Sequence, residues 1–144
     1  MSIQEMTGLQ LMQAMIEGKI PAPSITKTMP MKGISVDKGK ILFEATADDR
    51  HLNPLGGVHG GFAATVLDSV TGCAVHSMLE PGVGYGTVDL NVKMMRPVPQ
   101  NVTLLAEGKV INCSKSVCFA EGTLKDENGK IFAHATATCM IIRP

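Results

Sequence analysis

Apolar residues recur along this chain with two different periods, and the switches between them divide it into elements. Met6, Leu9, Met12 and Ile16 stand at helical spacing, with Gly18 as a C-cap and Pro21 and Pro23 as stops. That pattern predicts an amphipathic helix over about 3–17. Two extended segments are predicted next, at about 25–36 and 40–47, the second alternating as a half-buried strand does. The stretch NPLGGVHGGFAATVLDSVTGCAV, residues 53–75, reads as a glycine-rich loop entering a central helix over about 58–79. Beyond Glu80-Pro81-Gly82 the period falls to two: Val88, Leu90, Val92 and Met94 point one way, and Thr87, Asp89, Asn91 and Lys93 the other. Three further strand-like runs, at about 102–112, 116–126 and 130–142, complete a predicted four-strand meander.

Helices segregated from strands argue for an α+β fold with an antiparallel sheet. One long apolar helix against one sheet leaves too little chain to cover both. The sheet is therefore expected to wrap around the helix, and a second subunit to cover what remains. No repeat or linker divides residues 1–144, so a single domain is expected.

Composition narrows the class. Hydrophobic residues make up 44% and charged residues 18%, a globular balance. Thirteen basic residues offset thirteen acidic ones, and no basic run or aromatic ladder points to nucleic acid. No basic residue precedes Lys19, so no secretory leader is expected. His59, Asp68 and His76 interrupt the longest apolar-rich stretch, so no membrane span is expected either, and a cytoplasmic location follows by default. Cys73, Cys113, Cys118 and Cys139 form no CxxC pair and sit inside periodic segments, which predicts buried reduced thiols rather than disulfides or metal ligands.

The candidate chemistry lies in the central helix. Gly61, Ala64, Thr65, Asp68, Gly72 and His76 fall on one narrow stripe, small and polar, while Val58, Phe62, Val66, Val70 and Cys73 supply the apolar remainder. Asp68 is open to two readings. It is a solvated or Thr65- and Thr71-satisfied acid, or it is a carboxylate held at a ligand site as general base or nucleophile. The entry His59-Gly60-Gly61 also has two readings. It is a simple cap and turn, or it bares amide donors at a helix start, where an oxyanion, a polarised carbonyl or a phosphate is stabilised. Gly60 and Asp68 are roughly 12 Å apart along one helix and roughly 80° apart around it, too far to grip one carbon together. Two such helices side by side about a two-fold axis would bring Gly60 of one beside Asp68 of the other.

Asn53-Pro-Leu-Gly-Gly-Val-His-Gly-Gly61, then Asp68, then Gly86-Thr-Val-Asp-Leu-Asn-Val-Lys-Met-Met-Arg-Pro97 resembles the hotdog-fold acyl-CoA thioesterases, in particular the PaaI-like (phenylacetate-pathway) branch. The late run from Phe119 to Thr138 extends the resemblance over most of the chain. It implies a sheet curled around a central helix, subunits paired so that their sheets join, and often a dimer of dimers. It implies that Asn53 and His59 orient an acyl-CoA thioester, that the Gly60 amide polarises the carbonyl, and that Asp68 of the neighbouring subunit activates water or attacks. Thr87 matches a position where relatives hold a water-positioning serine. Gly61, Thr65 and Gly72 on the stripe are candidate substrate-binding positions. No cofactor and no metal is implied, and neither nucleic acid nor membrane is an expected partner.

Ten methionines against four Phe and one Tyr suggest a pliable apolar pocket. Arg96, Lys115 and Arg143 are candidates for the coenzyme A phosphates. Two other functions stand beside hydrolysis. A hydratase or dehydratase would need an acid–base pair with a histidine, and the Glu80-Pro81-Gly82 run lacks one upstream. A non-catalytic acyl-CoA sensor would have no need of Asp68.

Overall fold

The computed structural model describes residues 1–144. A 3₁₀ turn at Ile3–Glu5 precedes helix α1 (Gly8–Ile16) and a helical turn α2 (Ile25–Thr28). Strands β1 (Met31–Asp37) and β2 (Lys40–Thr46) lead to the central helix α3 (Gly60–His76). Strands β3 (Gly84–Met94), β4 (Thr103–Cys113), β5 (Val117–Lys125) and β6 (Ile131–Ile142) follow. The fold is α+β: one six-stranded antiparallel sheet in the order β1-β2-β4-β5-β6-β3, curled around α3.

Several sequence expectations are corrected. The N-terminal helix is split, because Thr7 caps a fresh start by accepting the Gln10 amide, with Gln10 reaching back to the Thr7 amide. The segment 25–36 is not extended throughout, since residues 25–28 coil into α2 before β1 begins at Met31. Helix α3 is shorter than 58–79 at both ends, and Val58 lies before its N-cap, His59. The four-strand meander is a three-strand one. Strand β2 takes the place beside β4, with Phe43 opposite Ala106, so β3 pairs instead with β6 and becomes a sheet edge.

The cysteine expectation fails for two of the four. Cys113 and Cys118 are disulfide-bonded, whereas Cys73 and Cys139 are free. The pair closes the β4–β5 hairpin, whose register sets Cys113 directly opposite Cys118, a relation that spacing along the chain does not display.

Small residues on the sheet let the helix come close. Phe62, Val66, Leu67, Val70 and Ala74 are buried against Leu104, Ala106, Leu124 and Ala135 in one core cluster. A Cβ at Gly108 would lie 2.1 Å from the Val70 carbonyl oxygen, so α3 touches β4 backbone to backbone. Burying each large side chain there contributes about 1.5–3 kcal/mol. The opposite face of α3 carries exposed Asp68 and half-buried Ala64, Thr65, Ser69 and His76. No helix is long and apolar enough to cross a membrane.

Candidate active site

The loop before α3 is built to present one amide. Asn53 Oδ1 accepts from the amides of Leu55 (2.9 Å) and Gly57 (3.2 Å), and the Asn53 amide donates to the Gly57 carbonyl at 2.7 Å. This closed turn leaves the side-chain NH2 of Asn53 as a donor. The His59 amide donates to the carbonyl of buried His51, which ties the loop's exit to its entry. His59 then caps the helix: its Nδ1 accepts from the Gly61 amide at 2.8 Å, and its carbonyl accepts from the Phe62 amide at 3.0 Å. With Nδ1 accepting, the neutral ring carries its proton on Nε2.

Of the first three amides of α3, two are therefore satisfied. The Gly60 N–H alone has no acceptor within the chain. It opens into a cavity of about 340 Å³ that Asn53, His59 and Met94 also line. A helix start carries partial positive charge, so this free donor suits an oxygen that gains negative charge.

Asp68 lies two turns further on, exposed, and its carboxylate forms no hydrogen bond or ion pair within the chain. Thr65 and Thr71 do not satisfy it. Their hydroxyls donate to the carbonyls of Gly61 and Leu67, each at 2.8 Å. Asp68 opens into a second cavity, of about 890 Å³, whose lining includes Ser69, Cys73, His76, Tyr85 and Thr87. Gly60 and Asp68 thus belong to different cavities of one chain.

Thr87 reaches that cavity through a bulge. The expected alternation set Thr87 on the face opposite Leu90 and Val92, but the β3–β6 register slips between Thr87 and Asp89. Val88 is the extra residue and is 61% exposed. Thr87 pairs with buried Cys139, and Leu90 with buried Ala137, so both face the helix. The Thr87 hydroxyl has only a long contact, 3.8 Å, to Cys139 Sγ.

Burial dominates the electrostatics around Asp68. It pushes the Cys73 thiol up to about 12, and the Asp68 charge adds to the shift. The Cys139 thiol is raised by burial and by Asp68, against a lowering hydrogen bond from Thr87. Burial alone lowers the His76 imidazole. Both thiols are protonated at neutral pH and are poor nucleophiles in that state, which leaves Asp68, Thr87, the half-buried His76 and the Ser69 and Tyr85 hydroxyls as polar groups of this cavity.

Two glycines of the stripe make room for neighbouring side chains. Gly72 is buried, and a Cβ there would lie 2.6 Å from the Tyr85 hydroxyl, so the glycine makes room for that ring. At Gly61 a Cβ would meet His59 Nδ1 at 2.9 Å, so this glycine accommodates the cap. Arg96 lines the smaller cavity while donating to the Ile131 carbonyl, Arg143 donates to the Lys115 carbonyl, and Lys115 is exposed. The sequence reading missed Met94 over Gly60 and Tyr85 over Gly72. Tyr85 carried a signal, being the chain's one tyrosine, set between Gly84 and Gly86.

Residues 55–133, more than half of the chain, match the thioesterase superfamily. The chain belongs to that family. A phenylacetic acid degradation-related protein of Ralstonia eutropha JMP134 superposes with a TM-score of 0.81 at 34% identity, covering 90% of this chain and 98% of its own. Human acyl-coenzyme A thioesterase 13 is 27% identical over 106 residues, which is 73% of this chain and 75% of that protein. A Streptococcus pneumoniae TIGR4 thioesterase solved with coenzyme A shares the fold, with a TM-score of 0.72 at 19% identity over 79% of this chain and 91% of that one. The fold of this thioesterase is the hotdog, as the motif resemblance implied, and its chemistry is thioester hydrolysis.

Proposed function

We propose that this thioesterase hydrolyses acyl-CoA at a site assembled from two copies of the chain. One copy supplies Asn53, His59 and the Gly60 amide; the other supplies Asp68 and Thr87. The observation that carries the reading is the division of these residues between two cavities, with the free amide in one and the unpaired carboxylate in the other. Edge strand β3, which has one neighbour in the sheet, offers the seam along which two sheets join. Pairing there sets two copies of α3 about a two-fold axis, and a dimer of dimers is the further assembly. The name of human acyl-coenzyme A thioesterase 13 supports the substrate class, and we place the enzyme in the cytoplasm.

In this reading the thioester carbonyl oxygen accepts from the Gly60 N–H, where the α3 dipole stabilises the charge that develops on it. The Asn53 amide and the His59 Nε2–H orient the thioester. Asp68 removes a proton from a water held by Thr87 as that water attacks the carbonyl carbon. The C–S bond then breaks and coenzyme A leaves as its thiolate, a good leaving group that needs no strong acid. In direct attack, Asp68 instead forms a mixed anhydride that water opens. Both routes place the same carboxylate beside the same carbon.

Subunit mixing tests the shared site. Gly60→Val and Asp68→Asn are each expected to be inactive alone. An equimolar exchanged mixture should regain about a quarter of wild-type turnover, since half the dimers are mixed and each mixed dimer holds one intact site. No recovery, with mixed dimers demonstrated by native mass spectrometry, refutes the reading.

A further inference from the structure

The larger cavity continues well beyond Asp68 and Thr87, and its far wall comes from the N-terminal arm, residues 7–28. That arm is pinned at both ends. At its start, the Gly8 amide donates to the Leu79 carbonyl at 2.9 Å, and a Cβ at Gly8 would lie 1.6 Å from the His76 carbonyl oxygen. Only glycine lets α1 begin in contact with the end of α3. At its finish, Arg50 Nη1 donates to the Lys27 carbonyl at 3.0 Å, and the His51 ring meets the Thr28 carbonyl. His51 Nδ1 accepts from the Asp48 amide, so in the neutral ring Nε2 is the donor to Thr28.

Between these pins the arm bows over the cavity. Residues 17–19 and 21–25 are exposed, and their backbone hydrogen bonds reach no further along the chain than Met29. Met15, Ile16, Ala22 and Ile25 line the cavity from above, while Ile41 and Phe43 of β2 line it from below. The space of about 890 Å³ lies near the top of the ~300–1,000 Å³ range of small-molecule sites. Apart from Thr26, its arm-side lining is aliphatic and thioether, which adapts to a flexible chain rather than clamping a flat ring.

We propose that the arm is the specificity-determining wall of the site: Met15, Ile16, Ala22 and Ile25 read an aliphatic acyl chain that passes Asp68 and Thr87 and runs beneath the arm. The inference rests on the acyl-CoA reading above. It adds that the acyl pocket comes from the subunit that supplies Asp68.

The test is the affinity of a saturated acyl-CoA series, from butyryl to palmitoyl, for protein carrying Asp68→Asn, measured by calorimetry so that turnover does not intervene. Affinity should tighten by about fourfold for each methylene that enters the cavity. Adding Ala22→Trp should lower the ratio of long- to short-chain affinity at least tenfold. Ala22 lies in an exposed stretch outside regular structure, so this change is tolerated by folding even where Met15→Trp is not. A flat response to chain length, as when a partner subunit fills the cavity, overturns the proposal. So does a chain-length slope that Ala22→Trp leaves unaltered. Failure of wild-type protein to hydrolyse any acyl-CoA would sink the functional reading instead, and the binding series would still decide the role of the arm.

Discussion

Asp68 shares a cavity with Thr87, 19 residues away, and not with Gly60 on its own helix. The bulge at Val88 turns Thr87 toward the helix, and the pitch of α3 turns Gly60 away from Asp68. The expected functional consequences differ sharply between the two pairs.

Asp68→Asn removes the acid while keeping its shape. Because the carboxylate is exposed and has no partner in the chain, stability should change by no more than ~0.5 kcal/mol. Turnover should fall by about 10²- to 10⁴-fold, the usual loss when a general base is removed. Thiol release from acyl-CoA, read beside a urea titration, checks both halves. Loss of activity together with loss of stability would assign Asp68 a structural role.

Thr87 is a milder case. Thr87→Val keeps the shape of the side chain and removes the hydroxyl, whose only partner in the chain is the 3.8 Å contact to Cys139. A lost water-positioning hydrogen bond of about 1–2 kcal/mol lowers kcat roughly 5- to 30-fold. Thr87→Ser should recover most of it. Equal rates for threonine, serine and valine would remove Thr87 from the mechanism.

His59 acts through the helix start. His59→Ala removes the acceptor of the Gly61 amide and should cost about 1 kcal/mol of stability. It also loosens the turn that aims the Gly60 amide, so kcat should fall with it. His59→Asn restores a capping acceptor and should recover stability more fully than turnover, because Asn does not reproduce an Nε2–H. Denaturant midpoints and kcat for the two variants separate these contributions.

Much of this was readable from the chain, and what was not has one cause. Helix α3, the strands β4 to β6, the glycine entry and the lone carboxylate are local patterns, and local patterns survive folding. The place of β3 beside β6 is decided by β2 competing for the edge of β4, a contact between distant segments. The bulge is silent because Thr-Val-Asp-Leu-Asn-Val alternates without a break, and only the pairing with β6 reveals the extra residue. The Cys113–Cys118 bond likewise follows from hairpin register. Even the cavity wall comes from an arm whose pin at Gly8 means nothing until the end of α3 is there to meet it, although its cap, Thr7 with Gln10, is a local pattern.

The close seat of α3 on the sheet makes a stability prediction that leaves the site untouched. A methyl at Gly108 would meet the Val70 carbonyl at 2.1 Å, backbone against backbone, so neither partner yields easily. Gly108→Ala should cost about 2–3 kcal/mol. Gly84→Ala is the control, since nothing lies within 4 Å of a Cβ there, and it should change stability by no more than ~0.5 kcal/mol. Equal midpoints for the two variants would mean that the helix sits further from β4 than described.

The raised thiol of Cys73 ties stability to pH on the alkaline side. Burial, with Asp68 adding to it, lifts this group from 9.0 to about 12. Between those values the folded protein holds a proton that the unfolded chain has released. Stability from this group is therefore fully present below about pH 9 and drains away as pH rises toward 12. The Tyr85 hydroxyl, raised mainly by burial, acts in the same direction from 10.0 upward. On the acid side the sign reverses: burial lowers His76 from 6.5, so its contribution is present above that value and lost as pH falls. Urea midpoints measured at about pH 8 and about pH 11 should drop steeply for wild type and less for Cys73→Ala. Because Tyr85 and the raised Cys139 thiol remain, some slope should persist in that variant, and it should shrink again, without vanishing, on adding Tyr85→Phe. A wild-type midpoint that holds steady to pH 11 would mean that the Cys73 thiol is open to water, and that the cavity floor beside Asp68 is wetter than its packing implies.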